Sequence, residues 1–252
     1  MERELIRINK FLSEAGVCSR RGADRLIEEG HVTIDGKTAV LGDHVLQGQK
    51  VCVDGKCVSR EDERIMLAFH KPKGIVCTSE KREKNNIIDY LNYPKRIYPV
   101  GRLDKDSEGL LLLTNDGELA NKIMRARYYH EKEYEVTVSR PVSETFLRGM
   151  AGGVPILDTM TRKCKVEKIG KRSFRIVLTQ GLNRQIRRMC EYFGYRVVKL
   201  VRVRVMNIHL GDLPAGQYRE LSETEWRELL QAFEKNDEKA GETANGAKRE
   251  NR

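Results

Sequence analysis

Gly101-Arg102-Leu103-Asp104-Lys105-Asp106-Ser107-Glu108-Gly109 runs directly into Leu110-Leu111-Leu112-Leu113-Thr114. Four consecutive leucines leave no polar face, so the second half reads as a central strand buried on both sides. The first half is its opposite, a polar loop with three acids and two bases. Loops at the ends of buried strands often carry sites. Spacing alone favours a plain charged turn. A metal cluster is disfavoured, because Arg102 and Lys105 would compete with a cation and no second carboxylate set stands nearby.

Outward from this stretch, Ile65-Met66-Leu67-Ala68-Phe69 predicts another strand, followed by the loop His70-Lys71-Pro72-Lys73-Gly74. Tyr134 to Val138 and Phe174 to Leu178 alternate like half-buried strands, and Val197 to Leu210 reads as paired strands. Asn183 to Phe193 predicts a helix closed by Gly194. Ile186, Cys190 and Phe193 form its apolar face, and Arg184, Arg187 and Arg188 lie on the other. Ser222-Glu223-Thr224-Glu225 is a capping box opening a last helix, with Trp226, Leu229, Leu230 and Phe233 facing inward. Strands broken by a few helices, without regular alternation, predict an α+β domain on a mixed or antiparallel sheet over 61–234. Residues 235–252 carry no apolar pattern and are expected to be disordered.

Residues 1–60 read as a separate helix-helix-strand-strand module. Ile8, Phe11, Leu12 and Ala15 recur at helical spacing up to Gly16. Ser19 caps a second helix striped by Ala23, Leu26 and Ile27, with Gly30 beyond its end. Val32-Thr33-Ile34 and Val51-Cys52-Val53 run into Asp35-Gly36 and Asp54-Gly55 turns. Arg20, Arg21 and Arg25 cluster at the start of the second helix, where free N–H groups add to their charge in holding a phosphate. Val58 to Arg64 is polar and reads as a linker.

The net charge of +10 points to a polyanionic partner. Between Arg162 and Arg204 there are fourteen Lys or Arg against two acids, Glu167 and Glu191, a local +12. That concentration reads as a phosphate-binding surface. The six cysteines, Cys18, Cys52, Cys57, Cys77, Cys164 and Cys190, make no Cys-x-x-Cys pair, so reduced, mostly buried thiols are expected rather than a zinc site or disulfides. The charged start Met1-Glu2-Arg3-Glu4 leads into no signal-peptide core, and no apolar run spans a bilayer. A cytoplasmic monomer without a membrane role is expected.

The motifs then become specific. Gly101-Arg102-Leu103-Asp104, continuing through Ser107-Glu108-Gly109 to Asn115-Asp116-Gly117, resembles the signature loop of the bacterial pseudouridine synthases of the small-subunit type, which modify single ribosomal uridines. Lys71-Pro72-Lys73-Gly74 resembles the family's first motif, and Gly181-Leu182-Asn183-Arg184-Gln185-Ile186-Arg187-Arg188-Met189 its third. The N-terminal module resembles the RNA-binding domain named after ribosomal small-subunit protein four. The resemblance covers residues 4 to 234. His130-Glu131-Lys132-Glu133-Tyr134, the stretch from Gly153-Val154-Pro155-Ile156 to Lys163-Cys164-Lys165-Val166, and the Leu182-Asn183 pair are most similar to the F-type synthases of the large subunit. That subgroup acts on a uridine of large-subunit (23S) rRNA and on a tyrosine tRNA anticodon.

The resemblance implies that Asp104 is the catalytic carboxylate. The N1–C1′ bond of uridine must break and the uracil must rejoin the sugar through C5, with no net gain or loss of atoms, so neither cofactor nor metal is required. Asp104 would act as nucleophile, or as base toward C2′ and then C5. By the same resemblance Arg187 pairs with Asp104 and favours its ionised form, and Tyr134 stacks on the target base, although its strand pattern alone suggests core. Arg102 would fill the space vacated by the flipped uridine. Leu200 is equally readable as pocket lining or core. Lys71, Lys73, Arg184 and Arg188 would bind RNA. Three rivals remain at this point: a sister synthase acting elsewhere on rRNA, a non-catalytic RNA-binding or ribosome-assembly protein, and a metal-dependent nuclease.

Overall fold

The computed structural model describes residues 5–60, 63–80, 82–125 and 128–234. The tail expected to be disordered, 235–252, lies outside them, as do positions 61–62 of the expected linker. The chain divides into two compact units: Met1–Ile65 with Tyr93–Arg96 and Asn115–Gly117, and Met66–Asn92 with Ile97–Thr114 and Glu118–Arg252.

The first unit holds β1 (Ile6–Arg7), α1 (Ile8–Glu14), α2 (Arg20–Glu28), β2 (Val32–Ile34), β3 (Lys37–Thr38), β4 (His44–Val45), β5 (Val51–Val53) and β6 (Lys56–Val58). Its four-stranded sheet runs β3-β2-β5-β6, and β1 pairs with β4. Ile8 and Leu12 of α1 pack on Ala23 and Ile27 of α2 and on Val32, Val45 and Val51. Ser19 caps α2, its hydroxyl accepting the Gly22 N–H at 3.1 Å. At both predicted hairpins the two turn residues are left-handed, with φ of 50° and 80° at Asp35-Gly36 and 48° and 76° at Asp54-Gly55. Asp-Gly suits that geometry because Asp tolerates it and Gly has no Cβ to oppose it. The second hairpin corrects the cysteine expectation. Its register sets Cys52 directly opposite Cys57, and the two form a disulfide. Of the remaining thiols, Cys77 and Cys190 are buried, and Cys18 and Cys164 are partly so.

The second unit contains β7 (Met66–Lys71), α3 (Ile87–Leu91), β8 (Tyr98–Val100), β9 (Glu108–Thr114), α4 (Gly117–Met124), β10 (Lys132–Val138), α5 (Glu144–Gly152), β11 (Pro155–Ile156), β12 (Thr159–Met160), β13 (Lys165–Gly170), β14 (Ser173–Leu178), α6 (Gln185–Tyr192), β15 (Val197–Val205), β16 (Ile208–His209) and β17 (Tyr218–Glu220). A further helix covers 223–234. The main sheet runs β13-β14-β10-β15-β9-β7-β17, with β16 on β15 and β8 on β9. Among its described strands only the β9–β15 pairing is parallel, so the sheet is mixed and the domain α+β, as the strand spacing predicted.

Each face of this sheet has its own core. Val136, Phe174, Ile176 and Leu200 pack under α5 and α6 through Phe146, Met150, Ile186, Met189 and Cys190. Leu110 and Leu112 pack on the other side with Met66, Ala68, Leu119 and Ile123 of α4, and Leu229 and Phe233 of the last helix. All four leucines of β9 are at most 1% exposed, which explains the uninterrupted apolar run. The capping box closes reciprocally: the Glu225 N–H donates to Ser222 Oγ at 3.2 Å and the Ser222 N–H to Glu225 Oε2 at 2.9 Å. Leu230, expected to face inward, is instead 40% exposed. Among the described residues no helix is long and apolar enough to cross a membrane.

Candidate active site

Sheet register brings the first site residues together. Lys71 of β7 pairs with Gly109 of β9, Gly109 with Arg202 of β15, Arg202 with Tyr134 of β10, and Tyr134 with Ile176 of β14. Directly paired residues share a face, so these five residues form one row across the sheet, on the side that α6 covers. Gly109 is the gap in the row. Its φ is 113°, and a Cβ there would land on the backbone of Arg202, so only glycine lets β9 and β15 approach this closely.

The polar loop before β9 is anchored from several sides. Leu103 is buried, and its N–H donates to Cys77 Sγ at 3.4 Å. Gly74 N–H donates to Lys105 O at 2.8 Å, and Ser107 N–H to Asp104 O at 3.0 Å. Lys71 Nζ donates to Ser107 O at 2.9 Å and to Pro72 O at 2.8 Å. This corrects the expectation that Lys71 binds phosphate. It is 0% exposed, and its ammonium is spent on the loop backbone. Burial pushes its pKa below the usual lysine value, against the pull of Cys77, Asp104, Asp106 and Glu108. Lys73 and Arg102 are exposed.

The loop presents the Asp104 carboxylate to two arginines. Arg184 Nη1 lies 3.6 Å and Arg187 Nε 3.8 Å from Asp104 Oδ2. Arg187 also donates through Nη2 to Asp106 O and Ser107 Oγ, each at 3.1 Å. Arg187 therefore grips the loop while facing its acid. Its Nε is buried and has no hydrogen-bond partner, so the pairing with Asp104 is electrostatic. Arg184 holds its place with a left-handed backbone, φ 50°, a conformation that non-glycine residues rarely adopt away from turns and functional sites. Arg188, the third arginine of the motif, turns back to Asn183 O and Oδ1 at 3.1 and 3.2 Å. A cleft of about 400 Å³ opens beside the pair, lined by Arg184, Arg187, Glu191, Gly194, Tyr195, Arg196 and Val197. Tyr134 is not part of that lining. It stands partly buried at the edge of the core under α6, and Leu200 is 5% exposed within that core.

Two site residues were missed in the sequence. Ser107, 1% exposed, ties Arg187 and Lys71 to the same loop. Arg202 is 2% exposed, donates through Nε to Leu110 O at 2.6 Å, and keeps Nη2 without a hydrogen-bond partner. Val201-Arg202-Val203-Arg204-Val205 looks like a strand with both arginines on one face. A register shift between Glu133 and Tyr134 sets Arg204 opposite Glu133 and Arg202 opposite Tyr134. Two consecutive residues of β10 face opposite sides, and so do the two arginines. Lys132, also beside Arg202, has its pKa lowered to about 8 by burial and by that like charge.

Charge density in the sequence overstates what this region offers to a polyanion. Arg175 reaches Glu133, Glu135 and Glu167 at 3.1, 3.2 and 3.5 Å, Arg204 reaches Glu131 and Glu133 at 2.9 and 2.8 Å, and Lys199 reaches Glu108 at 3.1 Å. Glu131, Glu133 and Glu135, on β10 or just before it, lie outside the basic segment. In the first unit, Arg20, Arg21 and Arg25 are all exposed on α2.

Comparisons with known proteins bear on the family and the fold. The family model described as RNA pseudouridylate synthase matches residues 65–192, and that of the S4 domain matches residues 6–49. The dual-specificity RNA pseudouridine synthase RluF of Salmonella typhi is 55% identical over 230 residues, 90% of this chain and 80% of its own. The ribosomal large subunit pseudouridine synthase B of Bacillus subtilis (strain 168) is 37% identical over 232 residues, 88% of this chain and 95% of its own. A crystal structure of a pseudouridylate synthase superposes with a TM-score of 0.66 at 28% identity, covering 89% of this chain and 99% of that one.

Proposed function

The chain belongs to the RNA pseudouridylate synthase family, and on that premise we propose that it isomerises a specific uridine of large-subunit rRNA, with a tRNA as second substrate, using Asp104 and no cofactor. The observation that carries this reading is the Asp104 carboxylate held on an anchored loop between two arginines. The relatives at over 50% identity are named dual-specificity RNA pseudouridine synthases, which supports two substrates.

The chemistry follows from the parts. A uridine buried in its helix cannot be reached, so it is flipped out, with Arg102 entering the space it leaves and Tyr134 stacking on the base. Asp104 then attacks the sugar or ring, or removes the C2′ proton. The N1–C1′ bond breaks, the uracil turns, and C5 bonds to C1′. As C5 bonds to C1′, the bond to Asp104 breaks or the C2′ proton returns. C5 then gives up its proton and N1, no longer glycosylated, takes one up, which restores the conjugated ring. Atoms balance within one nucleotide. Arg187 orients the carboxylate, and Arg184, Arg188 and Lys73 hold the surrounding phosphates. Residues 1–60, 61–234 and 235–252 serve as RNA-binding module, catalytic domain and tail, with the work done in the cytoplasm.

Pseudouridines mapped in 23S rRNA and tRNA from cells with and without this protein test the substrate. The reading expects one rRNA site and a tRNA anticodon site to disappear. Loss confined to small-subunit rRNA would overturn the assignment.

The N-terminal module makes a separate prediction. Replacing Arg20, Arg21 and Arg25 together by Ala should weaken binding to structured RNA without lowering turnover at saturation. Each lost phosphate contact flattens the log–log salt dependence, by up to ~0.9 on the scale of a B-form duplex. Affinity measured across a salt series checks this, and an unchanged slope would remove these arginines from the RNA interface.

A further inference from the structure

Five residues before the Tyr134 of the sheet row, a second tyrosine stands in an unusual setting. Tyr129 has φ 53°, a left-handed conformation that bulky residues avoid, and its side chain is left 59% exposed. The guanidinium of Arg162 lies over its ring, 4.2 Å from the centroid. Arg162 is itself fixed. Its Nη1 donates to Thr179 O at 3.1 Å, and its backbone N–H donates to Gln180 Oε1 at 3.2 Å. Met160, in the hairpin that leads to Arg162, is 62% exposed.

Position gives this stack its meaning. Lys132 of β10 pairs with Leu178 of β14, and Tyr129 and Thr179 lie just beyond that pair, at the same end of the two strands. From Thr179 the chain continues through 180–183 to Arg184, which meets Asp104 at 3.6 Å. Along the chain that runs into β10, five residues span at most about 18 Å between Tyr129 and Tyr134. An exposed aromatic ring backed by a cation has one face occupied by protein and the other open. It stacks well on any nucleobase, because every base has a π-face. The surrounding structure holds Tyr129 in this strained conformation, and strain of this kind collects at functional sites.

We propose that the Tyr129–Arg162 stack is a second base platform, which holds an unpaired nucleotide flanking the target uridine. This rests on the synthase reading for the identity of the RNA and on the geometry above for the site. The platform acts on binding and register and leaves the chemistry at Asp104 alone.

The test uses the full-length protein and an oligouridine strand carrying a single 2-aminopurine, whose fluorescence is quenched by stacking. Tyr129→Ala should bind about tenfold more weakly and lose the quenching at saturation, while Tyr129→Phe stays within about twofold of the parent. Tyr129→Gly separates binding from folding. Glycine suits φ 53°, so this variant should melt no lower than the parent and still bind as weakly as Tyr129→Ala. Unchanged affinity and quenching in Tyr129→Ala would overturn the proposal, as would Tyr129→Phe binding no better than Tyr129→Ala. A parent protein that quenches the probe but forms no pseudouridine in rRNA supports the platform and refutes the synthase reading.

Discussion

Asp104→Asn is expected to fold, to bind RNA with nearly parental affinity, and to make no detectable pseudouridine. The substitution keeps the shape of the side chain and removes its charge and its capacity to attack or to accept a proton. Everything that positions residue 104 comes from elsewhere: Leu103 in its buried seat, Lys71 on Ser107 O, and Gly74 on Lys105 O. The carboxylate is 31% exposed and lies 3.6 and 3.8 Å from its arginines, so screened ion pairs are lost at a stability cost of about 1 kcal/mol or less. Loss of the reacting group itself should cost more than about 10⁴-fold in turnover. Tritium release from C5-labelled uridine in rRNA measures it. Substantial release by the variant would remove Asp104 from the chemistry.

Arg187→Ala should lower turnover by about 10²-fold at saturating RNA, the scale on which a small misplacement of a catalytic group is felt. Arg187 is the one arginine of its motif that both faces Asp104 and grips the loop carrying it, through Asp106 O and Ser107 Oγ. Its removal leaves the acid less well held and the Ser107 hydroxyl without its donor. Arg188→Ala is the control one residue away. Arg188 bonds to Asn183, and its loss should change affinity by no more than a phosphate contact is worth. Steady-state kinetics separating kcat from KM checks both. Equal losses confined to KM would reduce Arg187 to an RNA contact.

Much of the fold could be read because local signals and tertiary environment agree. The four leucines of β9 are buried on both faces, the Asp-Gly pairs adopt the turns they suit, and the capping box closes as its spacing requires. Reading failed where packing overrules a local rule. α5 contains Gly149 and Gly152, which weaken a helix in isolation, yet a Cβ at Gly149 would strike the ring of Phe193, so close packing demands the glycine. Lys71 looks like a surface cation beside Lys73. It follows Phe69 at strand spacing, on the face that Phe69 buries, and its charge is satisfied by backbone carbonyls that no sequence pattern displays. Arg202 and Arg204 look equivalent until the register shift in β10 sends one inward and one to the glutamates. The basic segment was legible as charge, but its partners on and beside β10 were not, because pairing across strands is a non-local property.

On the proposed function, this chain moves a uracil from N1 to C5 attachment within RNA. Unmodified 23S rRNA made by transcription, incubated with the purified protein and digested to nucleosides, tests it most directly. One uridine is expected to be replaced by a nucleoside of identical mass and different retention, with one C5 tritium released for each, in RNA of unchanged length. RNA recovered with every uridine intact, or recovered cleaved, would contradict it.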